Sequence, residues 1–119
     1  MWAQLQKIRT QPEKEAELLD VLEQLKAVEQ ADSGLLKTMA MRSQSDPSLV
    51  YVLVLFDSEE KARAREQDPR RQQGLEGIRA AMGDVLDGPP EFFDLNVLRY
   101  EEACSMPSRR PADSQEAAL

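Results

Sequence analysis

Gln4 and Gln6 alternate in the stretch WAQLQKIR, and Asp94 and Asn96 alternate in EFFDLNVLRY. Alternation is the side-chain period of a β-strand, so each pair shares one strand face: Gln4 and Gln6 with Trp2 and Ile8, Asp94 and Asn96 with Phe92 and Leu98. If the two strands are neighbours with these faces aligned on the uncovered side of a sheet, four polar groups converge between aromatic walls. An apolar lining with a few oriented hydrogen-bond partners suits a small-molecule site. The chemistry within reach is general-base removal of a proton from a bound small molecule. Asp94 is the candidate base if burial raises its pKa. Asn96, Gln4 and Gln6 are the candidate donors to the anion that forms.

Tyr51 and Tyr100 are candidates to hydrogen-bond a phenolic substrate, and Arg42, Arg65 and Arg99 to meet an anion. Each has a plainer reading. The polar groups on the strands pair with one another or with a partner chain. The tyrosines are half-buried strand walls. The arginines are solvated or paired along a helix, above all Arg65 in the pair-rich stretch EEKARARE. Trp2 is either a wall of the site or packing at the sheet edge. Met39 and Met41 fill core or interface.

The rest of the composition narrows the chemistry. The sequence has no histidine and a single cysteine, Cys104. That removes Ser-His-Asp and Cys-His nucleophile systems, histidine-ligated zinc or haem, and thiolate clusters. A carboxylate-only Mg or Ca site stays open, but neither an EF-hand spacing nor a glycine-rich phosphate loop occurs, and no metal or cofactor is expected. A net charge of −7 with scattered basic residues argues against a nucleic-acid surface. The opening MWAQLQKIRT lacks the pattern of a secretory leader, and no apolar run reaches the ~20 residues of a membrane helix. With one cysteine, a cytoplasmic setting is expected.

The elements that must position these groups read in order. Residues 2–9 are a strand. Pro12 suits a first helical turn capped by Thr10 or Gln11, and Leu18, Val21, Leu22, Leu25 and Val28 form one buried stripe ending near Ala31. LLKTMAMR at 35–42 and LVYVLVLF at 49–56 are strands joined by the turn SQSDPS. Asp57 caps the next helix, with Glu60 closing a capping box. Pro69 interrupts that helix or begins another, and DGPP at 87–90 ends the helical spacing of Leu75, Ile78, Met82 and Val85. A strand over EFFDLNVLRY closes a domain spanning 1–100, and 101–119 reads as a flexible or loosely packed tail.

Strand, helix, strand, strand, helix, strand is the split βαβ order of the ferredoxin-like fold. An α+β architecture follows, with a four-stranded antiparallel sheet in order 4-1-3-2 and helices on one face. LVYVLVLF has no polar alternation, so its strand is apolar on both faces while the helices cover only one. A second copy of the sheet is the simplest cover, which predicts a homodimer joined face to face.

The stretch VYVLVLFDSEEKARAREQDPRR, residues 50–71, carries a resemblance. A strand ending in an aromatic, an acidic helix start and an aspartate-proline turn are similar to those of antibiotic biosynthesis monooxygenase-like domains in the dimeric α/β-barrel superfamily. The likeness covers about residues 2–100. It implies homodimers whose sheets enclose a pocket, and, for some members, cofactor-free oxidation of aromatic polyketides or quinols by O₂; other members have no demonstrated activity. Family enzymes often carry tryptophan at the position of Phe56 and histidine near Arg65 and Arg70, so this chain departs from them there. The resemblance implies a cofactor-independent monooxygenase acting on a small quinol or polyketide-like aromatic between dimerised sheets. Asp94 and Asn96 are its expected catalytic residues, with Gln4, Gln6, Trp2, Phe92, Tyr51 and Arg65 around the substrate. The alternative is a non-catalytic module, small-molecule-binding or purely structural, that dimerises in the same way.

Overall fold

The computed structural model of the chain describes residues 1–103. Strand β1 (Trp2–Arg9) leads through a 3-10 turn at Pro12–Lys14 into α1 (Glu15–Ala27). Strands β2 (Leu35–Arg42) and β3 (Leu49–Phe56) form a hairpin; α2 (Glu59–Glu66), α3 (Pro69–Glu76) and α4 (Arg79–Val85) follow, and β4 (Glu91–Asn96) closes the sheet. The sheet order is β2-β3-β1-β4 with every neighbour antiparallel, which is the expected 4-1-3-2 order read from the other edge. The fold is α+β and ferredoxin-like.

Local chemistry explains the boundaries and corrects several of them. Ser58, not Asp57, caps α2: its hydroxyl accepts from the Lys61 amide at 3.2 Å, while the Asp57 carboxylate takes the Lys61 ammonium at 2.7 Å. Neither Thr10 nor Gln11 caps with its side chain. Thr10 is instead buried, and its hydroxyl accepts from Arg42 at 3.3 Å. Helix α1 stops at Ala27 rather than Ala31, because Val28 leaves the helical path and the Glu29 amide then bonds three residues back, to Lys26, instead of four. Pro69 begins a new helix, for which the Asp68 carboxylate accepts from the Arg70 amide at 2.9 Å. Strand β4 ends at Asn96, so Leu98, Arg99 and Tyr100 lie beyond the ladder.

Register decides which side each strand residue faces, since directly opposed residues of an antiparallel pair point the same way. Val50, Val52, Val54 and Phe56 oppose Ile8, Gln6, Gln4 and Trp2. These four β3 side chains are buried with Trp2 and Ile8 against Leu18 and Val21 of α1, Ala62 of α2, Val85 of α4 and Ile78. This is the helix-covered face. Burying each such aliphatic or aromatic side chain is worth ~1.5–3 kcal/mol, so this layer is the main source of stability. Trp2 therefore packs in the core, on an interior strand, and not at a sheet edge.

The other face carries Leu5, Tyr51, Leu53, Met39, Met41, Phe93 and Leu95 by the same registers. Met39, Met41, Phe93 and Leu95 are 40–50% exposed. The expectation of an apolar face that the chain's own helices leave uncovered holds.

Candidate functional site

Strand β1 hands its polar residues directly to β4. Gln4 opposes Asp94, Gln6 opposes Phe92 and Trp2 opposes Asn96. The four polar side chains thus do share a face with Trp2 and Phe92, but it is the helix side of the sheet rather than the open one. The even-numbered residues of β1 follow Trp2 and Ile8 into the core layer, and β4 inherits the same side. The condition for a site enclosed between two open sheet faces, that these groups point outward, is therefore not met. The reason is the two-residue period: one choice of face for Trp2 fixes all six positions.

Hydrogen bonds join the group. The Gln6 amide donates to Gln4 Oε1 at 3.3 Å, and the Gln4 amide donates to Asp94 Oδ1 at 3.0 Å. The second carboxylate oxygen, Oδ2, accepts from Arg63 Nη2 at 2.8 Å. Arg63 comes from α2, pairs along that helix with Glu59 and Glu66 at 3.3 Å, and lays its guanidinium over the Trp2 ring, 5.0 Å from the centroid. Phe92 (57% exposed) and Asn96 border this cluster in solvent.

The electrostatics of Asp94 differ from those of a burial-raised base. The carboxylate is exposed; the Gln4 hydrogen bond first, and then the Arg63 hydrogen bond and charge, hold its pKa below the ordinary carboxylate value. Asp94 is thus kept ionised, an oriented acceptor with a guanidinium beside it. In return, the Asp94 hydrogen bond is the largest influence raising the Arg63 pKa.

The remaining candidates lie elsewhere. Tyr51 opposes Lys7 and Met41 and so faces the open side. Arg65 holds Glu29 with two bonds of 2.8 and 2.7 Å and stacks 5.1 Å from the Phe56 centroid, which makes it a half-buried strut between α2 and the segment after α1. Arg42 ties β2 to Glu15 at 3.1 Å, to Thr10 and to the Pro47 carbonyl. Arg99 pairs with Glu101 two residues on, and the Tyr100 hydroxyl donates to Glu102 at 2.7 Å beside the Lys37 ammonium. Cys104 and the tail to residue 119 lie outside the described residues.

Arg63 is the functional candidate that the sequence reading missed. It sits in the pair-rich stretch EEKARARE, where a solvated arginine is the ordinary expectation. The available signal was positional: β3 runs straight into α2, so the first turns of that helix pass over the ends of β1 and β4. No group of three or more His, Cys, Asp or Glu that could hold a metal ion occurs among the described residues. A cavity of about 160 Å³ lies away from this cluster, between the segment after α1 and helices α2 and α3.

The sequence pattern described as "Antibiotic biosynthesis monooxygenase" matches residues 1–77. A candidate antibiotic biosynthesis monooxygenase from Caulobacter crescentus superposes with a TM-score of 0.65 at 24% identity, covering 82% of this chain and 90% of that one. A protein of unknown function from Nitrosomonas europaea gives 0.63 at 22% identity, covering 87% and 95%. A variant of MhuD with two manganese protoporphyrin IX molecules per active site gives 0.71 at 16% identity, covering 87% and 100%. These likenesses establish the fold. No curated protein matches the chain significantly. No helix among the described residues is long and apolar enough to cross a membrane.

Proposed function

Because the chain belongs to the antibiotic biosynthesis monooxygenase family, we propose that it is a cofactor-independent monooxygenase for a small electron-rich aromatic, a quinol or an anthrone-like carbon acid. The observation that supports this most is the Gln6–Gln4–Asp94–Arg63 network beside Trp2 and Phe92. In this reading the substrate ring lies against exposed Phe92, next to Asn96. A ring hydroxyl donates to Asp94, whose ionised state suits it to hold and orient that hydroxyl rather than to take a proton for keeps. The proton leaves to solvent. Arg63 and the amides of Gln4, Gln6 and Asn96 stabilise the anion, and donors positioned for developing charge are among the largest contributions an enzyme can make.

The anion then gives one electron to O₂, and the two radicals combine as a carbon-bound peroxide. For a methylene carbon acid, loss of water from the peroxide leaves a carbonyl. One oxygen atom enters the product and the other leaves as water, so no external reductant is required. Catalysis here rests on stabilising the anion, which a chain without histidine can support.

In the same proposal two protomers meet through their open sheet faces. Exposed Met39, Met41, Phe93 and Leu95 lie on the side that the helices do not cover. Large contiguous apolar faces of this sort are rare on soluble monomers, and a two-fold contact would bury both copies at once.

One observation favours a second reading, a non-catalytic dimeric module. The polar network closes on itself, and arginines of α2 lie over both Trp2 and Phe56. Oxygen uptake with a panel of hydroquinones and anthrones, without added flavin or metal, separates the two. Uptake that scales with protein supports the enzyme; none across the panel supports the module.

A further inference from the structure

Strand β4 ends at Asn96, opposite Trp2, at one edge of the sheet. The chain does not leave the sheet there. The Lys37 ammonium donates to the Tyr100 hydroxyl and, at 3.2 Å, to the Glu102 carboxylate, and it lies 4.8 Å from the Tyr100 ring centroid. Lys37 belongs to β2, the opposite edge of the sheet. Residues 97–102 therefore run back across its width. Register gives the side on which they do so. Lys37 opposes Leu55, Leu55 opposes Ala3 and Ala3 opposes Leu95, which is one row of the face that the helices leave uncovered.

Burial along that face follows the crossing. Ala3 and Leu55 are only 5% and 8% exposed, yet neither belongs to the core cluster under the helices. Leu5 and Leu53, one row further from the crossing, stay partly exposed although the larger Phe93 and Met39 flank them. The helices lie on the other side of the sheet, so the crossing segment is what covers the Ala3–Leu55 row.

This cover is lightly held. Leu98 is 96% exposed and packs on almost nothing, and the Lys37 and Glu102 side chains are 52% and 66% exposed. Exposed ion pairs contribute little. The cover also stands where a second sheet would come. Facing sheets pack about 10 Å apart, a gap that the two sets of side chains fill. A backbone segment lying on one face is an added layer with side chains of its own, and the gap has no room for it.

We propose that residues 97–102 form a strap, latched by Lys37, which covers the Ala3–Leu55 end of the open face in the free protomer and must lift before a second copy docks there. The inference rests on face-to-face dimerisation and adds a control to it: strap and partner compete for the same apolar row.

The test compares the full chain with Tyr100→Ala and Lys37→Gln, which open the latch from its two sides. The dimer Kd is measured by sedimentation equilibrium. Exposure of the Leu55 methyls is read from their NMR broadening by a soluble nitroxide, at concentrations where the protein is monomeric. The expected result is a several-fold lower Kd in both variants, with the methyls shielded in the unmodified chain and broadened in the variants. The sign is diagnostic, because removing side chains that served the interface would raise Kd instead. A Kd unchanged or raised in both variants overturns the strap and leaves the dimer standing; a rise would mean that the segment reaches across to the partner. Leu55 methyls broadened equally in all three proteins overturn the strap as well. If none of the three forms dimers even at millimolar concentration, the dimer and the strap's control of it fall together.

Discussion

Replacing Glu29 with glutamine tests how the helical layer is tied together. Glu29 accepts two bonds from Arg65 at 2.8 and 2.7 Å and lies 3.6 Å from Arg71. The three side chains are only 15–17% exposed. Gln keeps the shape and removes the charge, so two guanidiniums then face each other across a neutral amide. Breaking a fully buried ion pair costs ~3–5 kcal/mol, and an exposed pair is worth ~0–1 kcal/mol. With about a sixth of the surface still wet, the expected loss is roughly 2–3 kcal/mol, or about 10–15 °C in Tm for a domain of this size.

The pH dependence carries a second signature. Burial pushes the Glu29 carboxyl up, but hydrogen bonds from Arg65 and Ser33 and the charges of Arg65 and Arg71 outweigh it, so its folded pKa lies below the ordinary 4.5. Its contribution is therefore complete above about pH 4.5 and fades as pH falls through the lower folded value. Urea unfolding of both proteins at pH 7, 4 and 3 should show the gap at its widest at pH 7 and shrinking with acid, since glutamine does not titrate. Other carboxylates titrate in both proteins and largely cancel in the difference. A gap under ~0.5 kcal/mol at pH 7, or one that acid leaves unchanged, would refute the assignment of Glu29 as the tie.

Phe93→Asp places a charge on the open sheet face at a side chain that is 46% exposed within one protomer. It should convert dimers to monomers in light scattering while leaving the far-ultraviolet spectrum intact; an unchanged dimer mass would mean that this face is not the interface. Gly34→Ala should cost ~1–3 kcal/mol in denaturant unfolding, because Gly34 has φ +82° and an added Cβ would stand 2.7 and 2.8 Å from Lys61 side-chain carbons. Arg63→Gln removes one of the two groups that lower the Asp94 pKa, so the carboxyl should titrate higher by ¹³C NMR. An Asp94 titration unaltered by that change would mean that the ion pair does not form in solution.

The sequence made the strands and their order legible because the signals are local and redundant. WAQLQKIR, LLKTMAMR and LVYVLVLF each coincide with an observed strand to the residue. The bare apolar run of β3 also announced a face that the chain's helices leave open. Sidedness was another matter. Trp2, Gln4 and Gln6 alternate equally well with either face inward, and only packing against α1 and α2 decides it. Caps were ambiguous for a similar reason: Asp57 and Ser58 are both good capping residues, and the pull of Lys61 on Asp57 leaves the role to Ser58. Arg63, Arg65 and Arg71 look alike in sequence, yet one meets Asp94, one holds Glu29 with two bonds and one lies beside Glu29 at 3.6 Å. Contacts across more than thirty residues make that distinction, and no spacing rule encodes them.

In the proposed reaction this chain oxidises an aromatic carbon acid with O₂ by its own side chains. The most direct measurement follows O₂ consumption and quinone formation together, with an anthrone as substrate and chelator-treated protein, with and without catalase. The expected result is uptake proportional to protein, one O₂ per carbonyl formed, no oxygen returned by catalase, and a large loss of rate in Arg63→Gln. A rate equal to the protein-free control, or stoichiometric hydrogen peroxide as in simple autoxidation, would contradict it.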